Sequence, residues 1–274
     1  TQKTLNLIII SMFSVIFPGQ GSQSVGMTKE LYDNFAYVKD LFKQADDILG
    51  YSISKIILEG KKEDLDLTEN TQPAIFLCSY SIFEMIKKES NINLEKAKYF
   101  AGHSLGEYSA LATSGSLDFK NAIKLLNERG KAMQSAVPIG EGAMIALIGI
   151  STSDAELIAN EAAAGDVCDL ANDNAPGQVV LSGSQKAIER AEIIARDRGV
   201  KRLIKLPVSA PFHSSLMHPV TNVMEDALTK VRMEEPLVPL ISNVTASEIV
   251  AVEELKKLLI KQICGRVRWR ESIL

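Results

Sequence analysis

Ser104 stands between two glycines in Gly102-His103-Ser104-Leu105-Gly106, with apolar residues on both sides. A serine in a G-x-S-x-G frame that ends a strand and opens a helix is a nucleophile elbow, which presents the hydroxyl to an acyl carbonyl. Ala97 to Ala101 can form a short buried strand and Leu105 to Ala112 a helix, so Ser104 is predicted on the sharp turn between them. Side chains at positions 102 and 106 would collide with neighbouring backbone. The helix N-terminus behind the turn offers free N–H groups and the positive end of its dipole to a developing oxyanion. The plainer alternative is a turn that merely ends a strand.

A serine hydroxyl is a weak nucleophile and needs a base, and the chain has three histidines, His103, His213 and His218. His103 adjoins the serine, and neighbours at an elbow point apart, so it reads as a packing or hydrogen-bonding residue. His213 lies in the turn-like stretch Ser209-Ala210-Pro211-Phe212-His213-Ser214-Ser215, a setting typical of catalytic residues. His218 fits a helix surface equally well. Asp154, Asp166, Asp169 and Asp173 lie between the serine and these histidines, but none is a compelling orienter. A backbone carbonyl or an amide side chain can hold the imidazole tautomer instead.

The elements that must carry these residues show two textures. Phe13 to Phe17 reads as a buried strand, and Pro18-Gly19-Gln20-Gly21-Ser22-Gln23 as a functional turn leading into a helix from about Val25 to Phe35. Ile75, Cys78, Ile82 and Ile86 recur at helical spacing over Pro73 to Lys87, with Pro73 suited to the first turn. Another helix runs from Phe119 to Gln134 and carries Arg129.

From position 138 to 206 the order changes to strand (143–150), helix (153–164), strand (167–171), strand (178–182), helix (185–198), strand (201–206). That βαββαβ order is the pattern of a ferredoxin-like insert. A helix over 216–231, a strand over 237–242 and a helix over 252–263 then complete a parallel α/β core formed by residues 12–137 and 207–274. The cleft between core and insert is expected near Ser104.

A chain of 274 residues can bury such a site, and 46% hydrophobic with 23% charged residues suits a soluble globular enzyme. The net charge of -4 argues against a nucleic-acid partner. Cys78, Cys168 and Cys264 are scattered, which predicts reduced thiols in a cytoplasm-like compartment rather than disulfides or zinc. Leu5 to Phe17 is too short to span a bilayer and lacks a signal-peptidase site, and it leads straight into the turn at Pro18; Met12 is read as the natural start, with residues 1 to 11 an extension. No membrane association is expected.

Phe17-Pro18-Gly19-Gln20-Gly21-Ser22-Gln23, the elbow through Glu107, Arg129-Gly130, Asn174-Ala175-Pro176-Gly177-Gln178 and Pro211-Phe212-His213-Ser214 fall in one order that resembles the malonyl-CoA:acyl carrier protein transacylases of fatty-acid synthesis. The resemblance implies an α/β-hydrolase-like core with the ferredoxin-like insert. It also implies malonyl-CoA, CoA and acyl carrier protein as partners, no cofactor or metal, and a monomer.

By the same resemblance Ser104 is the nucleophile and His213 the general base and acid, with the Gln262 main-chain carbonyl orienting the histidine. Gln20 and Leu105 supply oxyanion N–H groups, and Arg129 holds the free malonyl carboxylate through a bidentate fork. Phe212, with Leu105, resembles the choices of malonyl-selective members, where bulk disfavours an α-methyl branch; core packing is the other reading. Asn172 and Asn174 either contact the pantetheine arm or form an ordinary turn. Arg196, Arg198, Lys201, Arg202, Lys205, Arg266, Arg268 and Arg270 either receive CoA phosphates or the acidic carrier, or are a solvated face.

Family members continue past Val267-Arg268-Trp269 through another strand and helix. The sequence stops at Leu274, so either the parent chain is longer or the core lacks that closing element. The rival activity on the same elbow is a thioesterase, with water in place of the carrier thiol; a non-catalytic scaffold is the third possibility.

Overall fold

The computed structural model describes residues 12–208 and 210–274, so the reading of residues 1 to 11 and of Ser209 falls outside the described residues. The elements run β1 (Val15–Phe17), α1 (Lys29–Asn34), α2 (Ala36–Leu49), α3 (Ile53–Glu59), α4 (Lys62–Asp66), α5 (Thr68–Glu89), β2 (Phe100–Gly102), α6 (Gly106–Thr113) and α7 (Phe119–Ser135). There follow β3 (Gly142–Ile148), α8 (Thr152–Ala163), β4 (Cys168–Ala175), β5 (Gln178–Ser184), α9 (Gln185–Asp197) and β6 (Arg202–Lys205). The chain then forms α10 (His218–Thr229), β7 (Leu240–Ile241), β8 (Glu248–Ile249), α11 (Val252–Cys264) and α12 (Trp269–Ile273).

Two four-stranded sheets result, in the orders β1-β2-β7-β8 and β4-β5-β3-β6. In the first, β1, β2 and β7 are parallel and β8 closes the edge antiparallel. The second is antiparallel throughout. Alternation along β3 shows how the second sheet serves two faces. Ile145 and Leu147 join a cluster with Ile158 of α8 and Ile188 of α9, while Met144 and Ala146 face the larger core. Across the ladder, Val179 and Leu181 follow the first pair and Val180 the second.

The predicted strands of the first sheet are longer than those that form. Only three residues pair in β1 and in β2, and two in β7, where Leu237 stays largely exposed. Apolar residues beyond the ladder therefore pack as loop rather than strand. Pro73 is a second correction, because α5 starts at Thr68 and holds this proline in its interior. The missing N–H would leave the Glu69 carbonyl without its helical donor, and Asn127 Nδ2 from α7 supplies one at 3.0 Å. The same crossing leaves no room at Gly130, where a Cβ would lie 2.6 Å from the Thr68 carbonyl oxygen.

Helix α1 is shorter than the predicted 25–35. Helices α2 to α4 occupy a stretch to which the sequence reading assigns nothing. Val38, Phe42 and Ala45 of α2, at i, i+4 and i+7, are fully buried and were the available signal. No helix of the described residues is long and apolar enough to cross a membrane. Cys78, Cys168 and Cys264 are free thiols.

Candidate active site

Strand β2 delivers the chain to Ser104, which takes a left-handed backbone with φ 53° before α6 begins. A Cβ at Gly102 would lie 1.9 Å from the Gly106 carbonyl, and one at Gly106 would lie 2.6 Å from the Phe17 carbonyl oxygen. The tight turn therefore excludes larger residues at both positions. A non-glycine residue in this conformation carries strain of about 1–3 kcal/mol, so something must hold it. Asn243, in the loop between β7 and β8, does so. Its Oδ1 accepts from the Ser104 N–H at 2.7 Å and its Nδ2 donates to the Gly102 carbonyl at 2.8 Å.

His213 also sits at positive φ, 57°, and is buried. Its Nδ1 lies 2.7 Å from the Gln262 carbonyl oxygen and its Nε2 lies 2.7 Å from Ser104 Oγ. A carbonyl can only accept, so Nδ1 carries the proton and Nε2 is free to take one from the serine hydroxyl. Burial, and then the positive charge of Arg129, push the imidazole down to about 3. The ring is therefore held neutral. Asp169 binds the Ser215 N–H and hydroxyl instead, and Asp173 pairs with Arg270, so neither of these candidate acids orients the base.

Arg129, in α7, is 1% exposed. Its Nη1 donates to Gln72 Oε1 at 2.8 Å, and its Nη2 to Gln262 Oε1 at 2.9 Å and to Ser104 Oγ at 3.2 Å. All three acceptors are neutral, Nε has none, and no carboxylate forms an ion pair with the guanidinium among the described residues. A buried cation left without a counter-ion, with its fork beside the nucleophile, can receive an anionic substrate group.

Ser104, His213, Arg129 and Gln72 line one pocket of about 300 Å3, to which Gln20, Leu105, Met133, Met144, Asn172, Leu206 and Phe212 also contribute. The turn after β2, helices α4, α5 and α7, and strands β3 and β4 of the second sheet thus face the same space. Gln20 belongs to a turn braced by Ser22 Oγ on the Gly19 carbonyl and by Gln23 Oε1 on the Gly21 N–H, both at 2.8 Å. The N–H groups of Gln20 and Leu105 donate to no protein acceptor among the described residues.

Asn172 and Asn174 lie on β4, and the turn is confined to Pro176 and Gly177, which corrects the reading of both asparagines as turn residues. Asn174 Oδ1 meets His103 Nε2 at 2.8 Å, and the His103 ring stands edge-on to Trp269. His103 is thereby a packing and hydrogen-bonding residue, and His218 is exposed at the start of α10.

Most of the basic set is internally paired. Arg196 and Lys205 share Glu192, Arg198 binds Glu161, Arg266 binds Glu156, and Arg268 binds Glu271. Lys201 and Arg202 are exposed and form no ion pair among the described residues.

Two residues without an assigned role in the sequence reading matter here. Asn243 is one; its signal is only a Ser-Asn step after the apolar pair Leu240-Ile241, which any turn shares. Glu107 is the other. It is buried, and its oxygens accept from the Asn243 N–H at 2.6 Å and from Gln262 Nε2. Its place directly after the elbow made it visible, but nothing in the sequence indicated its burial.

Residues 14–264 match the acyl transferase domain. The malonyl CoA-acyl carrier protein transacylase of Bacillus subtilis is 43% identical over 265 residues, spanning 96% of this chain and 82% of that protein. The Escherichia coli K12 protein of the same name is 37% identical over 264 residues, with 96% and 84% covered. Among solved structures, the acyl-carrier-protein S-malonyltransferase of Bartonella henselae superimposes with a TM-score of 0.92 at 46% identity, covering 96% of this chain and 84% of that one. A malonyl-transacylase solved in complex with a type II polyketide synthase acyl-carrier protein gives 0.91 at 38% identity, covering 94% and 83%. A match over nearly the whole length, with solved relatives that share the fold, makes this chain a member of the acyl transferase domain family.

Proposed function

We propose that the protein transfers a malonyl group from malonyl-CoA to the pantetheine thiol of acyl carrier protein through an ester on Ser104. The observation that carries the substrate choice is the buried Arg129 fork, without an ion pair to any carboxylate among the described residues and 3.2 Å from the nucleophile. The relatives named for this activity support the reading.

His213 Nε2 takes the Ser104 proton as Oγ attacks the thioester carbonyl. The N–H groups of Gln20 and Leu105 receive the oxyanion of the tetrahedral intermediate. Collapse breaks the C–S bond, and the CoA sulfur leaves with the proton from the His213 imidazolium. The carrier thiol then attacks the serine ester, giving its proton to His213, which returns it to Ser104. The Gln262 carbonyl holds the imidazole in the required tautomer throughout. Arg129 exchanges part of its contact with the Gln72 and Gln262 amides for the malonyl carboxylate, while Phe212 limits bulk beside the α-carbon. Asn172 lines the route of the pantetheine arm, and Asn174 acts through His103.

The fold divides best into an α/β-hydrolase-like core of residues 12–137 and 207–274 and a ferredoxin-like insert of residues 138–206. The βαββαβ order and the strand order β4-β5-β3-β6 support that division. The three free thiols suit a reducing, cytoplasm-like compartment.

The test is intact-protein mass spectrometry after brief exposure to malonyl-CoA, on wild type and Ser104→Ala, followed by holo acyl carrier protein. A malonyl adduct that persists, is absent from the mutant and moves to the carrier is the expected result. An adduct lost in buffer alone would point to a thioesterase, and no adduct on a folded sample would defeat the proposal.

A further inference from the structure

Only two acidic side chains are buried among the described residues, Glu107 and Asp173. Asp173 is neutralised by the Arg270 fork. Glu107 has no cation in contact, yet it stands one amide away from Arg129. Gln262 Oε1 accepts from Arg129 Nη2, and Gln262 Nε2 donates to Glu107 Oε2. The other Glu107 oxygen takes the backbone N–H of Asn243, the residue that pins the nucleophile turn. A single carboxyl thus touches both residues that organise the site, the backbone of Asn243, whose side chain holds the elbow, and the side chain of Gln262, which bridges to the clamp.

We propose that Glu107 is a positioning residue for malonyl selection, competing through Gln262 with the substrate carboxylate for the charge of Arg129, so that malonyl binding requires Glu107 in its neutral form. The proposal rests on the malonyl reading of the pocket.

The physical basis is polarisation through the amide. An ionised Glu107 pulls on the Gln262 Nε2–H, makes Oε1 a stronger acceptor and tightens its hold on Arg129 Nη2. It also cancels part of the guanidinium field in a site that excludes water. A neutral Glu107 does neither, and Arg129 is then the uncompensated charge that a carboxylate needs. Burial is the main cause that pushes the Glu107 carboxyl up to about 8, offset in part by the Asn243 N–H, Arg129 and Gln262.

The other ionisable groups coupled to it are few. Arg129 of α7 faces it, and Tyr108 of α6 is pushed up to about 12 by burial and stays neutral. Helix α11 and the β7–β8 loop present only the Gln262 and Asn243 amides.

A second carboxylate beside Arg129 disfavours ionisation of Glu107, so substrate binding and proton binding at Glu107 favour each other. Malonyl affinity is therefore full below about pH 8 and falls as Glu107 ionises above it. An acetyl donor lacks the carboxylate and escapes the effect.

The experiment follows formation of the Ser104 ester by rapid-quench mass spectrometry between pH 6.5 and 9.5, with malonyl-CoA and acetyl-CoA as donors. The half-saturating malonyl-CoA concentration should rise about tenfold from pH 7 to pH 9 in wild type while that of acetyl-CoA stays flat. Glu107→Gln, which cannot ionise, should flatten the malonyl profile. Parallel profiles for the two donors, or the same rise in folded Glu107→Gln, would overturn the proposal. If that variant does not fold, the two-donor comparison on wild type decides alone. No malonyl ester at any pH would instead bring down the underlying malonyl reading, and this proposal with it.

Discussion

Replacing Asn243 by alanine removes the side chain that holds the nucleophile turn in its strained shape. Two backbone groups lose their partners, the Ser104 N–H and the Gly102 carbonyl. Each buried group left unpaired costs about 1–3 kcal/mol, so the intact turn would be destabilised by about 2–6 kcal/mol. Relaxation of Ser104 from φ 53° returns part of this, because the strain itself is worth about 1–3 kcal/mol. The turn then drifts from the geometry that sets Oγ 2.7 Å from His213 Nε2. Loss of stability and loss of activity are thus alternative outlets for one defect. The assay is urea unfolding together with the rate of malonyl-serine formation per folded molecule. We expect a stability loss of about 2 kcal/mol or more, or an acylation rate reduced at least about 100-fold, and commonly both. A variant with wild-type stability within about 0.5 kcal/mol and wild-type acylation would refute the role given to Asn243.

Arg129→Ala should slow malonyl transfer by about 30- to 5,000-fold while acetyl transfer is retained or improved, measured as kcat/KM for the two donors. Because burial and Arg129 hold His213 down to about 3, its neutral form persists through pH 5, and acylation should show no inflection near 6.5. The same shift has a stability sign: the unfolded chain protonates His213 below about 6.5 and the native state does not, so stability falls with decreasing pH by up to about 1.4 kcal/mol per unit from this group. Urea midpoints of wild type and His213→Gln across pH 5 to 7 would reveal it as a weaker acid dependence in the variant. Glutamate at Lys201 and Arg202 should raise the KM for carrier protein without changing acylation by malonyl-CoA, and unchanged carrier kinetics would remove this face from docking.

The sequence makes legible whatever is enforced by local sterics or short periodicity. Gly102 and Gly106 frame Ser104 because the backbone passes within a Cβ of itself, and that constraint is visible in five residues. The alternating faces of β3 and β5 are written in their apolar pattern, as are the long helices α7 and α11. What escaped depends on contacts far apart in the chain. Pro73 reads as a helix start because nothing nearby reveals that Asn127 satisfies the Glu69 carbonyl. Asn243 and Glu107 look like an ordinary turn residue and a first-turn acid until the fold joins them across 136 positions. The basic residues near the C-terminus suggest a charged face, yet the acidic partners of Arg266 and Arg270 sit far off in the chain, on α8 and β4.

The group that orients His213 is a main-chain carbonyl in the last turn of α11, where helical C=O groups have no partner within the helix. That end of the helix carries a partial negative charge of about half an electron, so the peptide dipoles of α11 do for the imidazolium what a carboxylate does in other serine enzymes. No side-chain substitution at position 262 can delete such a group. A survey by alanine replacement would therefore find no orienting acid anywhere in the chain, and only a proline or a break that displaces the end of α11 would uncover it.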